Sequence, residues 1–193
     1  MEIKKINKVT DLPWINIFCA DIADKEGQKD RKYMIASRKS EISIESDNGK
    51  ADAVVMVPIH IDEKGVRRIV VIKEFRIPIR DFEWGFPAGL IEEGLTPDAT
   101  AIKEMREETG LEVTRITQVS PTIYNTAGMS DESVIMVYLE CMGDPSSEFL
   151  EGSEEIEAFL MSFDELDDLY RSKVKFGAKA WCIIDGIIQK GEL

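Results

Sequence analysis

The stretch that decides how this chain is read is GLIEEGLTPDATAIKEMREETGL, residues 89–111. Thr96 can accept a backbone N–H at a helix start, Pro97 suits the first helical position because its missing N–H is not needed there, and Gly110 suits the turn just past the end. These three residues bracket one helix of about 13 residues. At about 100° of rotation per residue, Glu104, Glu107 and Glu108 share one arc, while Ala101, Ile102 and Met105 fall on a neighbouring arc able to pack on a sheet. Glu92 and Glu93 add charge in the turn before the helix.

Most glutamate-rich helix faces are solvated surface. Here, however, like charges four residues apart cost a few tenths of a kcal/mol, and glutamates near a helix C-terminus oppose its macrodipole. The cluster therefore calls for a positive counterpart. A divalent cation such as Mg²⁺ or Mn²⁺ is the economical one, since hard ions prefer carboxylate, carbonyl, water and phosphate oxygens. Such an ion polarises a bridging diphosphate and lowers the pKa of a bound water, so the helix points to metal-assisted attack on phosphorus.

Working outward, ADAVVMVPIHI and RRIVVIKEF are β-branched runs separated by the turn DEKG, and they read as paired strands. Upstream, INIFCAD and KYMIASRK flank a polar turn and predict a small hairpin-like extension. Downstream come EVTRITQVS, the loop PTIYNTAGMSDE, the strand SVIMVYLECM, and EIEAFLMS running into a capping box from Ser162 to Glu165. From Gly177 onward, Trp181, Ile184 and Ile188 recur at helical spacing, widened by Ile183 and Ile187, and predict a core-packing helix. Strands and helices mix without regular βαβ alternation, which favours an α+β fold with a mixed sheet packed between helices.

The 193 residues suit one domain with a small extension, here divided as 1–48 and 49–193, and 44% hydrophobic content supports a core. No apolar run approaches the ~18 residues that cross a bilayer, and the N-terminus lacks a signal-peptide pattern, so a cytoplasmic location is expected. Cys19, Cys141 and Cys182 have no ligand spacing and read as buried reduced thiols. A net charge of −13 disfavours nucleic acid as a partner. The single histidine, His60, reads as structural or exposed, and Trp84 as packing beneath a loop.

The 89–111 stretch resembles the Nudix hydrolase signature: a Gly, five residues, a Glu, seven residues, then Arg-Glu-apolar-any-Glu-Glu-any-Gly-apolar. Gly89, Glu104, Met105, Glu107, Glu108, Gly110 and Leu111 match it; Leu95 stands at the expected Glu and Lys103 at the expected Arg. In the family these two acid and base positions pair across the loop, so their joint replacement reads as a rebuilt brace. Between about Tyr33 and Gly186 the order of MIASRKS, KEFRIPI, WGFPAGLIEEG, YNTAGMSDES and EEIEAFLMSFDEL is similar to the ADP-ribose pyrophosphatase branch.

The resemblance implies an α/β/α sandwich with an N-terminal strand extension that helps form a homodimer. It implies Glu104, Glu107 and Glu108 as catalytic metal ligands for Mg²⁺ or Mn²⁺, the Ala88 carbonyl as a further ligand, and Glu154 as another acid near the metals. Arg76 and Glu132 are the substrate-binding candidates, with a surface arginine and an exposed loop glutamate as the alternatives for Arg76 and Glu154. For the general base, Glu151 beside Gly152, Glu132 and Glu108 stay open. Tyr124 and Met129 lie in the loop that borders the substrate in similar proteins. The implied reaction is cleavage of the diphosphate of ADP-ribose, giving AMP and ribose 5-phosphate, or of a nucleotide sugar. The alternatives are another diphosphate substrate (coenzyme A, a dinucleoside polyphosphate or NADH) and a nucleotide-binding sensor without turnover.

Overall fold

The computed structural model describes residues 2–24, 30–45, 49–150, 152 and 155–192. The chain divides into two compact units: residues 1–52 with 122–134, and residues 53–121 with 135–193.

The first unit opens with an antiparallel sheet of β1 (Glu2–Lys8), β2 (Asn16–Ala23) and β3 (Asp30–Ser37). The expected hairpin is β2 and β3, with Asn16 opposite Ser37. β1 carries no strand signal of its own: its sequence, EIKKINK, is mostly exposed and shows little apolar alternation, so its place in the sheet comes from pairing with β2. Asn16, buried, holds the turn between them by donating to the Leu12 carbonyl at 3.0 Å and accepting from the Leu12 N–H at 2.9 Å.

The second unit begins with β4 (Ala53–Ile61) and β5 (Arg67–Arg76), antiparallel as the two β-branched runs predict. A turn at residues 77–80 leads into β6 (Asp81–Gly85), paired with β5, and then β7 (Ala88–Leu90), paired with β4. These short strands carry little pattern of their own. α1 (Pro97–Thr109) follows, capped as the sequence requires: Thr96 accepts from the Ala99 N–H, Pro97 opens the helix, and Gly110 closes it at φ 73°.

β8 (Glu112–Val119) leads back to the first unit, where β9 (Ile123–Tyr124) pairs with Ser133 and Val134, the first residues of β10 (Ser133–Met142). In the second unit the main sheet has the order β11 (Ile156–Met161), β5, β4, β10, β8. α2 (Phe163–Arg171) starts at the predicted capping box, with Ser162 and Glu165 bonding reciprocally, and α3 (Ala178–Lys190) ends the chain.

Both faces of this sheet are covered, and strand alternation shows it. Val54, Met56, Val70, Val137 and Leu139 form one cluster with Ala101 and Met105 of α1 and with Leu111. Ile69 and Val71 point to the opposite face and are fully buried as well. α2 packs on β5 and β11, and Leu166 and Ile184 are buried. The α+β sandwich with a mixed sheet is therefore present.

Some expectations change in detail. Cys141 is buried, and burial pushes its thiol up to about 12, but Cys19 is half-buried and Cys182 exposed. Trp181 is 44% exposed and stacks on Tyr170; Ala180 and Ile184 carry the core-facing side of α3. His60 is structural: it is buried, with Nε2 2.8 Å from the Gly143 carbonyl. Trp84 packs on Phe159 at 4.9 Å between ring centres.

Gly110 combines a left-handed φ with a tight surrounding, since an added Cβ would lie 2.7 Å from the Ser146 Cβ. Gly65 has φ 78° but open space. Gly110→Ala is expected to lose about 2–4 kcal/mol in urea unfolding and Gly65→Ala only about 1.

Candidate active site

α1 and β7 meet through two glutamates, each for a separate reason. Gly89 is packed so closely that an added Cβ would lie 2.1 Å from the Glu104 Cδ. The Glu104 carboxyl thus lies against the backbone at residue 89, and it can do so because residue 89 has no side chain. One turn later Glu108, only 6% exposed, accepts a hydrogen bond from the Ala88 N–H at 3.0 Å. β7 itself is held by β4, with Ala88 opposite Val55 and Gly89 opposite Val54. On the neighbouring arc of the helix, buried Ala101 and Met105 fasten α1 to the sheet.

Glu107 takes a different course. Its Oε2 lies 3.0 Å from Lys103 Nζ, which also meets Glu92 Oε1 at 2.9 Å and approaches Glu104 Oε1 at 4.0 Å. The hydrogen bonds to Glu92 and then to Glu107 raise the lysine's pKa above its usual value, so the ammonium is fixed in its charged form. The lysine at the family's arginine position therefore pairs across the turn with Glu92. Leu95, at the family's acid position, is 36% exposed. The signature marks Lys103 as a departure but carries no signal for Glu92. Two adjacent glutamates, Glu92 and Glu93, stand in that turn, and turn conformation rather than spacing decides which one reaches the lysine.

Arg76 sits at the end of β5, where its Nη1 meets Glu74 at 2.6 Å and its Nε approaches Glu83 at 3.7 Å. Glu74 and Glu83 are directly opposite each other in the β5–β6 pair. Like charges so placed repel, and the guanidinium offsets them. Glu132 belongs to the first unit, where it accepts from Arg38 Nε at 2.7 Å and from Asn125 Nδ2 at 2.9 Å. Tyr124 and Met129 are exposed in the same unit. Glu151 and Glu154 lie outside the described residues, and Gly152 is exposed.

Among the described residues no three acidic side chains already form a cation cage. The fit to a metal rests instead on donor chemistry and on the Gly89 cradle. Glu104 and Glu108 stand on consecutive turns of α1 against β7, and their carboxylates, like a backbone carbonyl such as that of Ala88, are hard oxygen donors of the kind that Mg²⁺ and Mn²⁺ take.

A family model described as the NUDIX domain matches residues 49–182. This chain belongs to the Nudix family. The ADP-ribose pyrophosphatase of Saccharomyces cerevisiae is 28% identical over 198 residues, covering 97% of this chain and 83% of that protein. The ADP-ribose pyrophosphatase of Bacillus subtilis is 28% identical over 145 residues, 70% of this chain and 76% of that protein. The ADP-sugar pyrophosphatase of Mus musculus is 32% identical over 104 residues, and the match spans about half of that protein, 47%. A crystal structure of an ADP compounds hydrolase superposes with TM-score 0.74 over 99% of this chain and 96% of the other at 17% identity, which establishes the shared fold.

Gly89→Ala would force the Glu104 carboxyl away from β7. Since a misplacement of about 1 Å can cost about a hundredfold in rate, hydrolysis is expected to fall by about that factor while unfolding stability changes by less than about 2 kcal/mol. Steady-state kinetics and urea denaturation of the same variant check the two halves of this expectation.

Proposed function

We propose that the chain is a metal-dependent pyrophosphohydrolase of ADP-ribose, with nucleotide sugars as the neighbouring substrate class. The observation that supports the reading is the approach of Glu104 and Glu108 to the Ala88–Gly89 backbone, since carboxylate and carbonyl oxygens are the ligands a hard cation shares with a diphosphate. The curated relatives named for ADP-ribose and ADP-sugars support the substrate class.

In the reaction, water adds to one phosphorus and the bridging P–O bond breaks, so ADP-ribose yields AMP and ribose 5-phosphate. Bound Mg²⁺ or Mn²⁺, held by Glu104, Glu108 and the Ala88 carbonyl with Glu107 alongside, would supply charge stabilisation and a more acidic water. The chain's own residues do the rest. The Ala88 N–H holds one oxygen of Glu108, fixing the carboxylate's orientation. Gly89 leaves room for Glu104. Lys103 offsets the charge of Glu107. Arg76 is the proposed substrate contact, exchanging a bond to Glu74 for one to a phosphate oxygen.

The proton from the attacking water would go to a carboxylate within hydrogen-bond reach. Glu108 is the candidate within this site, and Glu132 and Glu151 are the others; Glu154 is proposed to approach the metals and Glu132 the substrate. We also place the protein in the cytoplasm and propose that the 1–48 extension forms a homodimer interface, the domain from residue 49 carrying the chemistry. Among the described residues no helix is long and apolar enough to cross a membrane.

Purified protein given ADP-ribose with Mg²⁺ or Mn²⁺ is expected to release AMP and ribose 5-phosphate, and chelator to stop it. Glu108→Gln is expected to lower kcat at least about a hundredfold. Retention of full turnover by that variant would refute the metal assignment; binding of ADP-ribose without turnover by the unmodified protein would make it a sensor instead.

A further inference from the structure

Lys103 is one cation facing three carboxylates, and each carboxylate comes from a different place in the local chain. Glu92 belongs to the turn after β7, Glu107 lies one helical turn further along α1, and Glu104 is the adjacent residue whose carboxyl rests on Gly89. The turn itself is tied to the helix start by the Leu95 N–H bonding the Glu92 carbonyl at 3.1 Å and the Thr100 N–H bonding the Thr96 carbonyl at 2.9 Å. These backbone bonds shape the turn and the first turn of α1 but do not reach the acidic face. Across that gap, between the turn and the middle of α1, runs the Lys103–Glu92 contact.

Its effect on the site follows from charge and reach. Without the ammonium, Glu92 and Glu107 would repel each other, and Glu107 would be released toward Glu104 and Glu108. With it, Glu107 is drawn to the turn, and the two remaining carboxylates stay on β7. Lys103 is 36% exposed and Glu92 59%, so the pair contributes little to global stability. A role in positioning is separable from one in folding.

We infer that Glu92 and Lys103 form a relocated brace, in which Glu92 is a positioning residue that acts through Lys103 to hold Glu107 apart and keep Glu104 and Glu108 aligned on the Ala88–Gly89 backbone. This rests on the metal-dependent reading of the site proposed above. Neither residue touches substrate or the reacting phosphorus in this assignment. Lys103 offers its three N–H donors as a point charge, and arginine at the same place would offer a fork able to meet the same two acids.

The test is Mn²⁺ affinity, measured by electron paramagnetic resonance on the whole chain without substrate, together with kcat and KM for ADP-ribose and the thermal midpoint. The variants are Glu92→Gln, Lys103→Met, the double variant and Lys103→Arg. Coulomb's law alone makes Lys103→Met bind Mn²⁺ more tightly, because a repelling cation is removed. The brace predicts the opposite: Mn²⁺ affinity weakened about threefold or more, and kcat lowered about tenfold with KM changed less than about twofold. Adding Glu92→Gln to Lys103→Met should change kcat by less than about twofold, whereas Glu92→Gln alone should cost about fivefold, because the two residues act as one unit.

Lys103→Arg should keep kcat within about threefold of the unmodified protein, and all four variants should melt within a few degrees of it. Tighter Mn²⁺ binding by Lys103→Met, or additive losses in the double variant, would overturn the brace. A large fall in melting temperature that tracks the loss of kcat would also overturn it by making the pair a folding contact. The substrate-free measurement separates this inference from the reading beneath it. The expected order of Mn²⁺ affinities without ADP-ribose hydrolysis by any form would remove the substrate and keep the brace, whereas an unmodified protein that bound no Mn²⁺ would remove both.

Discussion

The contact between the carboxyl of Glu104 and the bare backbone of Gly89 constrains everything around it. A helix bearing three glutamates cannot come within hydrogen-bond distance of a strand unless the strand presents either N–H donors or no side chain at all. β7 does both in consecutive residues: Ala88 donates to Glu108, and Gly89 makes room for Glu104. β7 in turn is placed by β4, whose Val54 and Met56 belong to the same buried cluster as Ala101 and Met105 of α1. Hydrophobic burial on one arc of the helix therefore sets the position of the carboxylates on the adjoining arc, and a cavity made beneath Met105 would be felt at the acidic face as well as in stability.

Among the described residues, these ion pairs fall into small local sets. Lys103 answers Glu92 and Glu107, and Arg76 answers Glu74 and Glu83. In the first unit Arg38 answers Glu132, while Lys39 meets Asp131 at 3.3 Å. In a chain of net charge −13, placing single cations between paired acids holds those acids in position without neutralising the surface around them. All these pairs are partly exposed, so their value lies in orientation more than in folding energy.

The two departures from the family signature illustrate how such a set can move. The acid lost at Leu95 reappears three residues earlier, and a lysine stands where an arginine is usual. A brace needs opposite charges on the turn and on the helix, within reach of each other. It does not need them at fixed sequence positions, because a turn brings several residues to nearly the same place. A relocated pair is then a smaller change than the mismatch at Leu95 and Lys103 suggests.

The sequence by itself determined α1 from cap to cap, because Thr96, Pro97 and Gly110 act on backbone groups within a few residues of themselves. It determined the paired strands β4 and β5 and the capping box of α2 for the same reason, and it singled out Glu104, Glu107 and Glu108 through helical spacing. What only the tertiary structure decided depends on residues far apart in the chain. β1, β6 and β7 exist because neighbouring strands offer them partners, not because their own residues demand it. The spacing of Trp181 points it to the core, yet Tyr170 receives it at the surface. Glu107 turns to Lys103 while Glu104 and Glu108 turn to β7, and Glu92 rather than Glu93 completes the brace. Spacing places side chains on a face; which partner each one meets is set by the packing of the turn and strand against that face.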